Sequence, residues 1–356
     1  MTFSVAETEI GETRTLRKLF VTGGAGFIGS AFVRLALCEL PDCEIINFDA
    51  LTYAGNLENL AGIDESRHRF VQGDICDHDA VVRGLDGAAD VIINFAAESH
   101  VDRSIHSAHE FIKTNVLGTQ VLLDAARECG VQRFVQISTD EVMGSLPEND
   151  KAYFTEDSPF QPNSPYAASK AAAEQLVRAA HHTFALDTLI TRCGNNYGPR
   201  QFPEKFLPLM LANAMNDEPI PVYGDGMNVR DWIYVDDHCR AILTLLQHGR
   251  PGATYNIGAR NEQHNLDVVH SVLDALEKPR ALIRFIKDRP GHDRRYAIDP
   301  SLIEREVNWR PQETWKTGLR KTINWYRENN GWLDRIRSGA YREYYARQYG
   351  VEASAS

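Results

Sequence analysis

Residues 19–29 read Leu-Phe-Val-Thr-Gly-Gly-Ala-Gly-Phe-Ile-Gly, and this stretch decides the fold. A short apolar run of strand character meets a glycine cluster, and the residues after it return to helical spacing. Gly24, Gly26 and Gly29 satisfy G-x-G-x-x-G: a tight turn, a close approach of backbone to a pyrophosphate, and packing of helix on strand. Amides at the start of that helix face an anion. Asp49 ends the next apolar run twenty residues after Gly29, where an acid bonds a ribose 2′-hydroxyl. A carboxylate there disfavours a 2′-phosphate, so NAD is expected rather than NADP. Gly73-Asp74-Ile75 follows the third run and suits the adenine.

Outward from this stretch, apolar runs at 19–21, 44–48, 69–71, 90–95, 133–137 and 188–190 alternate with segments of helical length at 28–40, 79–85, 110–129 and 166–184. Such alternation predicts βαβ units and a parallel sheet. After residue 195 the chain becomes punctuated by Pro and Gly, as in Tyr197-Gly-Pro199 and Tyr223-Gly-Asp-Gly226, the composition of ligand-contacting loops. The expected fold is α/β: a Rossmann-type doubly wound parallel sheet with a smaller C-terminal substrate-binding domain. Residues 1–17 are expected to form a disordered extension and 18–194 the dinucleotide domain, with 231–250 packing back on it. The remainder of 195–350 is expected to hold the substrate.

The chain has 356 residues, 43% hydrophobic and 24% charged, with a formal charge of −11. That charge argues against a nucleic-acid groove, which relies on clustered Lys and Arg. Six cysteines, Cys38, Cys43, Cys76, Cys129, Cys193 and Cys239, form no Cys-x-x-Cys pair, so neither a zinc site nor a disulfide framework is expected. They read as reduced thiols of a cytoplasmic protein. The His181-His182 pair has no metal-ligand company, and no metal site is expected. No run reaches the roughly 18 apolar residues of a membrane span, and the polar N-terminus lacks the apolar core of a signal peptide.

Chemistry concentrates in two places. The run 133–144 delivers Ser138-Thr-Asp-Glu141 to the C-terminal end of a predicted strand, where open α/β sheets bind ligands. Two adjacent carboxyls there supply an acid and a base if their surroundings hold them in different protonation states. A solvated acidic turn is the plainer alternative. Tyr166 and Lys170 stand four apart at the start of a predicted helix, hence on one face. An ammonium beside the phenol lowers its pKa and makes it a base for an alcohol.

Gly23-x-x-Gly26-x-x-Gly29 with Tyr166-x-x-x-Lys170 resembles the extended short-chain dehydrogenase/reductase family. Within it, the segments Asn94-Phe-Ala-Ala-Glu-Ser-His-Val-Asp-Arg-Ser104, Ser138-Thr-Asp-Glu-Val142, Asn195-Asn-Tyr-Gly-Pro199 and Phe202-Pro-Glu-Lys205 resemble those of the dTDP-glucose 4,6-dehydratases. So do Tyr223-Gly-Asp-Gly-x-x-Val-Arg-Asp-Trp232 and Asp288-Arg-Pro-Gly-His-Asp-Arg-Arg-Tyr296, and the resemblance runs from about Lys18 to Tyr344-Tyr345. It implies oxidation of a sugar C4 hydroxyl with Tyr166 as base, then removal of the C5 proton by Glu141. Asp140 protonates the departing C6 hydroxyl, Thr139 bonds the C4 oxygen, and hydride returns to C6. NAD would be held by Gly23, Gly26, Phe27, Ile28, Gly29, Asp49, Asp74, Ile75, Ala96 and Ala97, together with Tyr166 and Lys170. The nucleotide sugar would meet Ser99, Asn195, Lys205, Pro221, Tyr223, Arg230, Asn265, Arg289 and His292, in a homodimer. Met143, Gly194 and Arg200 depart from the family pattern near the expected pocket. The same features leave open a nucleotide-sugar 4-epimerase, a dehydratase that releases a 5,6-unsaturated sugar, and a non-catalytic NAD-sensing protein.

Overall fold

The computed structural model describes residues 14–87, 89–148 and 151–337. Strands β1 (Lys18–Thr22), β2 (Glu44–Asp49), β3 (His68–Gln72), β4 (Val91–Asn94), β5 (Arg133–Thr139) and β6 (Asp187–Cys193) arise where the apolar runs predict them. The chain then leaves this layer through β7 (Asn195–Tyr197), β8 (Ile220–Tyr223) and β9 (Val229–Tyr234). It returns through the helix Val235–His248 to β10 (Thr254–Ile257), and β11 (Glu262–His264) and β12 (Ile283–Ile286) follow.

Seven strands form one sheet in the order β10-β6-β5-β4-β1-β2-β3, with every pairing parallel. All residues of β4 and β5 are buried, because helices cover both faces. β1 lies between β2 and β4, and on either side of it the chain winds in opposite directions. At that switch point the crevice beyond the strand ends is open to a ligand. The smaller unit carries a three-stranded sheet, β11-β9-β7, and a two-stranded one, β12-β8. Its core joins Leu207, Leu211, Trp232, Val268, Val272, Leu319 and Tyr326.

Four expectations need correction or refinement. Residues 14–17 are not a loose extension: Arg14 pairs with Asp187 at 2.7 Å and Leu16 is buried in the main core. Residues 1–13 lie outside the described residues, as does Tyr344-Tyr345. The return to the first domain is longer than 231–250, since β10 completes the sheet beside β6. Within it the helix Val235–His248 packs on the helix Phe27–Glu39, with Cys239, Ile242 and Leu246 joining Phe32, Val33 and Ala36 in one core. β9 itself pairs with β7 and β11 instead of the large sheet. Finally, 110–129 is not one regular helix: a π-helical segment, Ile112–Leu117, precedes the α-helix Gly118–Glu128. Asn115 sits in that segment, bonded across to Glu98 and Ser169, and the wider turn accommodates it. Among the described residues no helix is long and apolar enough to cross a membrane.

Candidate active site

A cavity of about 440 Å³ opens at the switch point. Its wall contains Gly23, Gly26, Phe27, Ile28, Gly29, Asp49, Asp74, Ile75, Ala96 and Ala97, and with them Thr139, Asp140, Glu141, Tyr166 and Lys170. The expected cofactor contacts and catalytic groups therefore share one chamber. The glycine turn fits a diphosphate. A Cβ on Gly29 would lie 2.2 Å from the Gly23 oxygen, so helix and strand could not approach as they do, whereas one on Gly26 would meet little but that oxygen at 3.2 Å. The helix Phe27–Glu39 has no side-chain cap and no acid in its first turn, which leaves its first amides for an anion. Asp49 is held by the amides of Ala25 at 2.9 Å and Leu51 at 2.8 Å, and burial raises its pKa against those bonds.

β5 carries the acidic pair. Thr139 ends the strand and caps a single 3₁₀ turn, Asp140–Met143, by accepting from the Glu141 amide at 3.3 Å. Its hydroxyl donates to Asp140 at 3.2 Å, and the other Asp140 oxygen is buried without a partner. Burial, then Glu141 and Asp231, push Asp140 well above the usual carboxylate range. Glu141 is also raised by burial, but Arg289, Arg230 and Lys205 pull against that rise. The two neighbours thus stand in different electrostatic surroundings, as an acid and base pair requires.

The helix Pro165–Phe184 brings the second set. Ser164 caps it through the Ala167 amide at 3.1 Å, and Pro165 occupies its first position. Tyr166, Lys170 and Glu174 follow at four-residue intervals along one face. The Lys170 ammonium donates to the Ile137 carbonyl at 2.6 Å, and burial lowers its pKa to about 8. Tyr166 does not have the lowered pKa expected of a phenol beside an ammonium. Burial and the charges of Glu141, Cys193 and Asp140 push it well up, against a bond to Thr139. Behind the helix, Ser138 donates to Glu174 at 2.5 Å, and Glu174 takes Arg192 at 2.9 and 3.0 Å. This buried network fastens the strand end to the helix.

Of the expected substrate contacts, Ser99, Asn195 and Lys205 lie in the cavity wall, and Lys205 donates to the Ser99 carbonyl at 2.5 Å. Pro221, Tyr223, Arg230, Asn265, Arg289 and His292 belong to the second unit, outside that wall. Tyr223 and Arg289 both bond the buried Asp102, at 3.0 and 2.8 Å. Arg230 donates to the carbonyls of Val229 and Asp293 and lies 4.3 Å from the Tyr296 ring. His292 bonds Asp288 at 2.6 Å and is lowered to about 4, chiefly by burial and Arg289. Pro221 is buried on β8, and Asn265 opens the helix Asn265–Ala275.

The three departures separate. Met143 points away from the cavity, into a cluster with Val142, Phe154 and Ile298, and its sulfur accepts from Arg192. Arg200 is outside the wall, its guanidinium 5.2 Å from the Trp325 ring. Gly194 does line the cavity, and a Cβ there would lie 2.7 Å from the Asp231 carbonyl oxygen, so β9 presses too close for any side chain without a shift. Glu98, Thr114, Asn196 and Glu204 also line the cavity but were not singled out from the sequence. Three of them fall inside the motifs quoted above. Asn115, buried beside the site, is likewise missed, since Lys113 and Thr114 before it make it look like one more polar residue of a helix.

The family model described as GDP-mannose 4,6 dehydratase matches residues 20–322. A dTDP-glucose 4,6-dehydratase of Shigella flexneri is 47% identical, covering 93% of this chain and 99% of its own length. One from Neisseria meningitidis is 49% identical, with 92% and 98% covered. Among solved structures, the Streptomyces venezuelae dTDP-glucose 4,6-dehydratase with NAD and dTDP bound superposes with TM-score 0.86 at 51% identity, covering 90% of this chain and 99% of that one. A Thermus thermophilus UDP-glucose 4-epimerase with NAD superposes with TM-score 0.80 at 30% identity, with 88% and 99% covered.

Proposed function

The chain belongs to the dTDP-glucose 4,6-dehydratase family, and from that premise we propose that it converts dTDP-glucose to dTDP-4-keto-6-deoxyglucose. The observation that carries the reading is the adjacent carboxyls Asp140 and Glu141 in the same cavity wall as Tyr166, Lys170 and the glycine turn. Alcohol oxidation and 4-epimerisation need Tyr166 and Lys170 but no second acid and base; elimination of water does. NAD, when bound, supplies the store that accepts the C4 hydride and gives it back to C6.

The chain's own groups handle the protons. Tyr166 takes the proton of the C4 hydroxyl with Thr139 in hydrogen-bond reach, and Lys170 is fixed by Ile137 to contact the ribose. A protonated Asp140 removes one of the charges that hold Tyr166 up. It then gives its proton to the departing C6 hydroxyl while Glu141, facing Arg289, Arg230 and Lys205, takes the proton from C5. Ser99, Asn195, Lys205 and the second-unit residues Pro221, Tyr223, Arg230, Asn265, Arg289 and His292 hold the nucleotide diphosphate. Arg230 and Arg289 offer guanidinium forks suited to phosphate oxygens.

In this reading residues 14–194, joined by the helix Val235–His248 and β10, hold NAD, and the rest of the described residues from 195 to 337 hold the sugar nucleotide. A homodimer in the cytoplasm completes it; the six free thiols and the half-exposed Ile112 and Leu117 support that assignment.

An isotope experiment tests the reaction. Deuterium placed on C4 of dTDP-glucose is expected on C6 of the product, and reaction in heavy water is expected to label C5, with no net consumption of NAD. Label that stays on C4 would identify an epimerase and defeat the reading. Release of an unsaturated sugar would defeat the final step.

A further inference from the structure

The short helix Val101–His106 leaves the C-terminal end of β4 and puts two adjacent side chains to different uses. Asp102 bonds Arg289 and Tyr223, as described. Arg103 turns to two other loops: its Nε donates to Glu204 at 2.9 Å, and its guanidinium carbon lies 3.9 Å from the Tyr53 ring centroid. The Tyr53 hydroxyl also bonds Glu204, and its ring meets Phe202 edge-on at 5.7 Å. Three loops are thereby tied together: 50–55 after β2, 98–103 after β4, and 202–205 before the helix Phe206–Met215.

Each loop contributes to the cavity wall, through Thr52, Ser99 and Glu204 among others, whereas Tyr53 and Arg103 stand behind it. The first loop starts directly after Asp49 and folds back on it: a Cβ on Gly55 would lie 2.9 Å from the Asp49 carboxylate. It thus covers the ribose end of the chamber. The Glu204 side chain is 1% exposed, so its carboxylate depends on its partners.

We infer that Tyr53, Arg103 and Glu204 form a latch that ties these loops across the cavity and keeps the dinucleotide bound from one turnover to the next. The inference rests on the proposed internal hydride return. Reduced cofactor that escapes between C4 oxidation and C6 reduction ends a turnover without product, so retention through the elimination is a requirement of the chemistry. The latch joins two loops of the first domain to one of the second, and a stacked arginine paired with a buried carboxylate is worth most where water is excluded.

The test compares the wild-type protein with Arg103→Met/Glu204→Leu, in which both charges go and neither is left buried alone. Bound NAD is measured by chromatography of acid extracts after gel filtration, and its release is followed after dilution. The double variant is expected to lose NAD about tenfold faster or more, the scale of one such contact. Tyr53→Leu, which keeps the ion pair but loses the stack and the hydroxyl, is expected to shift release in the same direction should the double variant not fold. Retention as long as in the wild type, in either folded variant, would overturn the latch. Failure of the reaction itself would appear separately, as a C4 label that does not reach C6 in the wild type.

Discussion

Asp140 and Glu141 are adjacent in sequence and burial raises both; Glu141 and Asp231 add to the rise of Asp140, while Arg289, Arg230 and Lys205 oppose that of Glu141. The pair was legible because two carboxyls at the end of an apolar strand are conspicuous. The charges around them were not, since Asp231, Arg230 and Arg289 are distant in sequence and near only after folding. The same holds for Tyr166: four-residue spacing put Lys170 on its face, but the ammonium is spent on a carbonyl, and burial, with the charges of Glu141, Cys193 and Asp140 behind it, raises the phenol. A stability measurement tests the Asp140 environment. Its folded pKa lies above its unfolded value, so its contribution is fully present below the unfolded pKa and is lost as pH rises through the folded one. Asparagine carries no charge at any of these pH values. Asp140→Asn is therefore expected to melt above the wild type at pH 8, with the gap closing toward pH 4. A gap independent of pH would show that Asp140 is not held neutral by its surroundings.

At the scale of elements, strands and helices of the first domain could be read because both of its sheet faces are covered, which forces near-continuous apolar runs, and because Ser164 and Pro165 mark a helix start. The π-helical segment could not, since its cause is a set of bonds from Asn115 to residues on two other elements. The helix Pro165–Phe184 holds Tyr166 in place by its cap and by packing against Phe111 and Val101, so the hydroxyl is not needed for its position. Tyr166→Phe is accordingly expected to keep the melting temperature and lose turnover by at least the roughly 10²-fold typical of a missing general base. Stopped-flow absorbance of the reduced dinucleotide checks it. Near-normal C4 oxidation in the variant would remove Tyr166 from the mechanism.

At the scale of the whole molecule, the second unit was the least legible part. Its strands are three to six residues long and its core is assembled from segments between Tyr197 and Leu333, so no local pattern announces it. The surface raises a related point. Of the apolar residues Val116, Leu117, Val121 and Leu122 in the 110–129 segment, Leu122 is fully buried in the core of the first domain and Val121 packs against it. What stays open is Leu117 at 51% and Ile112 at 52%, on the π-helical segment, with Phe184 at 49% at the end of the helix Pro165–Phe184. The Arg127 guanidinium lies 3.4 Å from the Phe184 ring and links the helices Gly118–Glu128 and Pro165–Phe184. Half-exposed large apolar side chains on two neighbouring helices suit an isologous contact, in which the same patch meets itself, and a stable one buries about 1,200–2,000 Å² in all. Sedimentation at micromolar concentration is expected to give twice the chain mass. Ile112→Glu/Leu117→Glu places like charges opposite each other across the axis and is expected to give a folded monomer. A wild-type monomer, or a dimer untouched by both glutamates, would place the contact elsewhere or remove it.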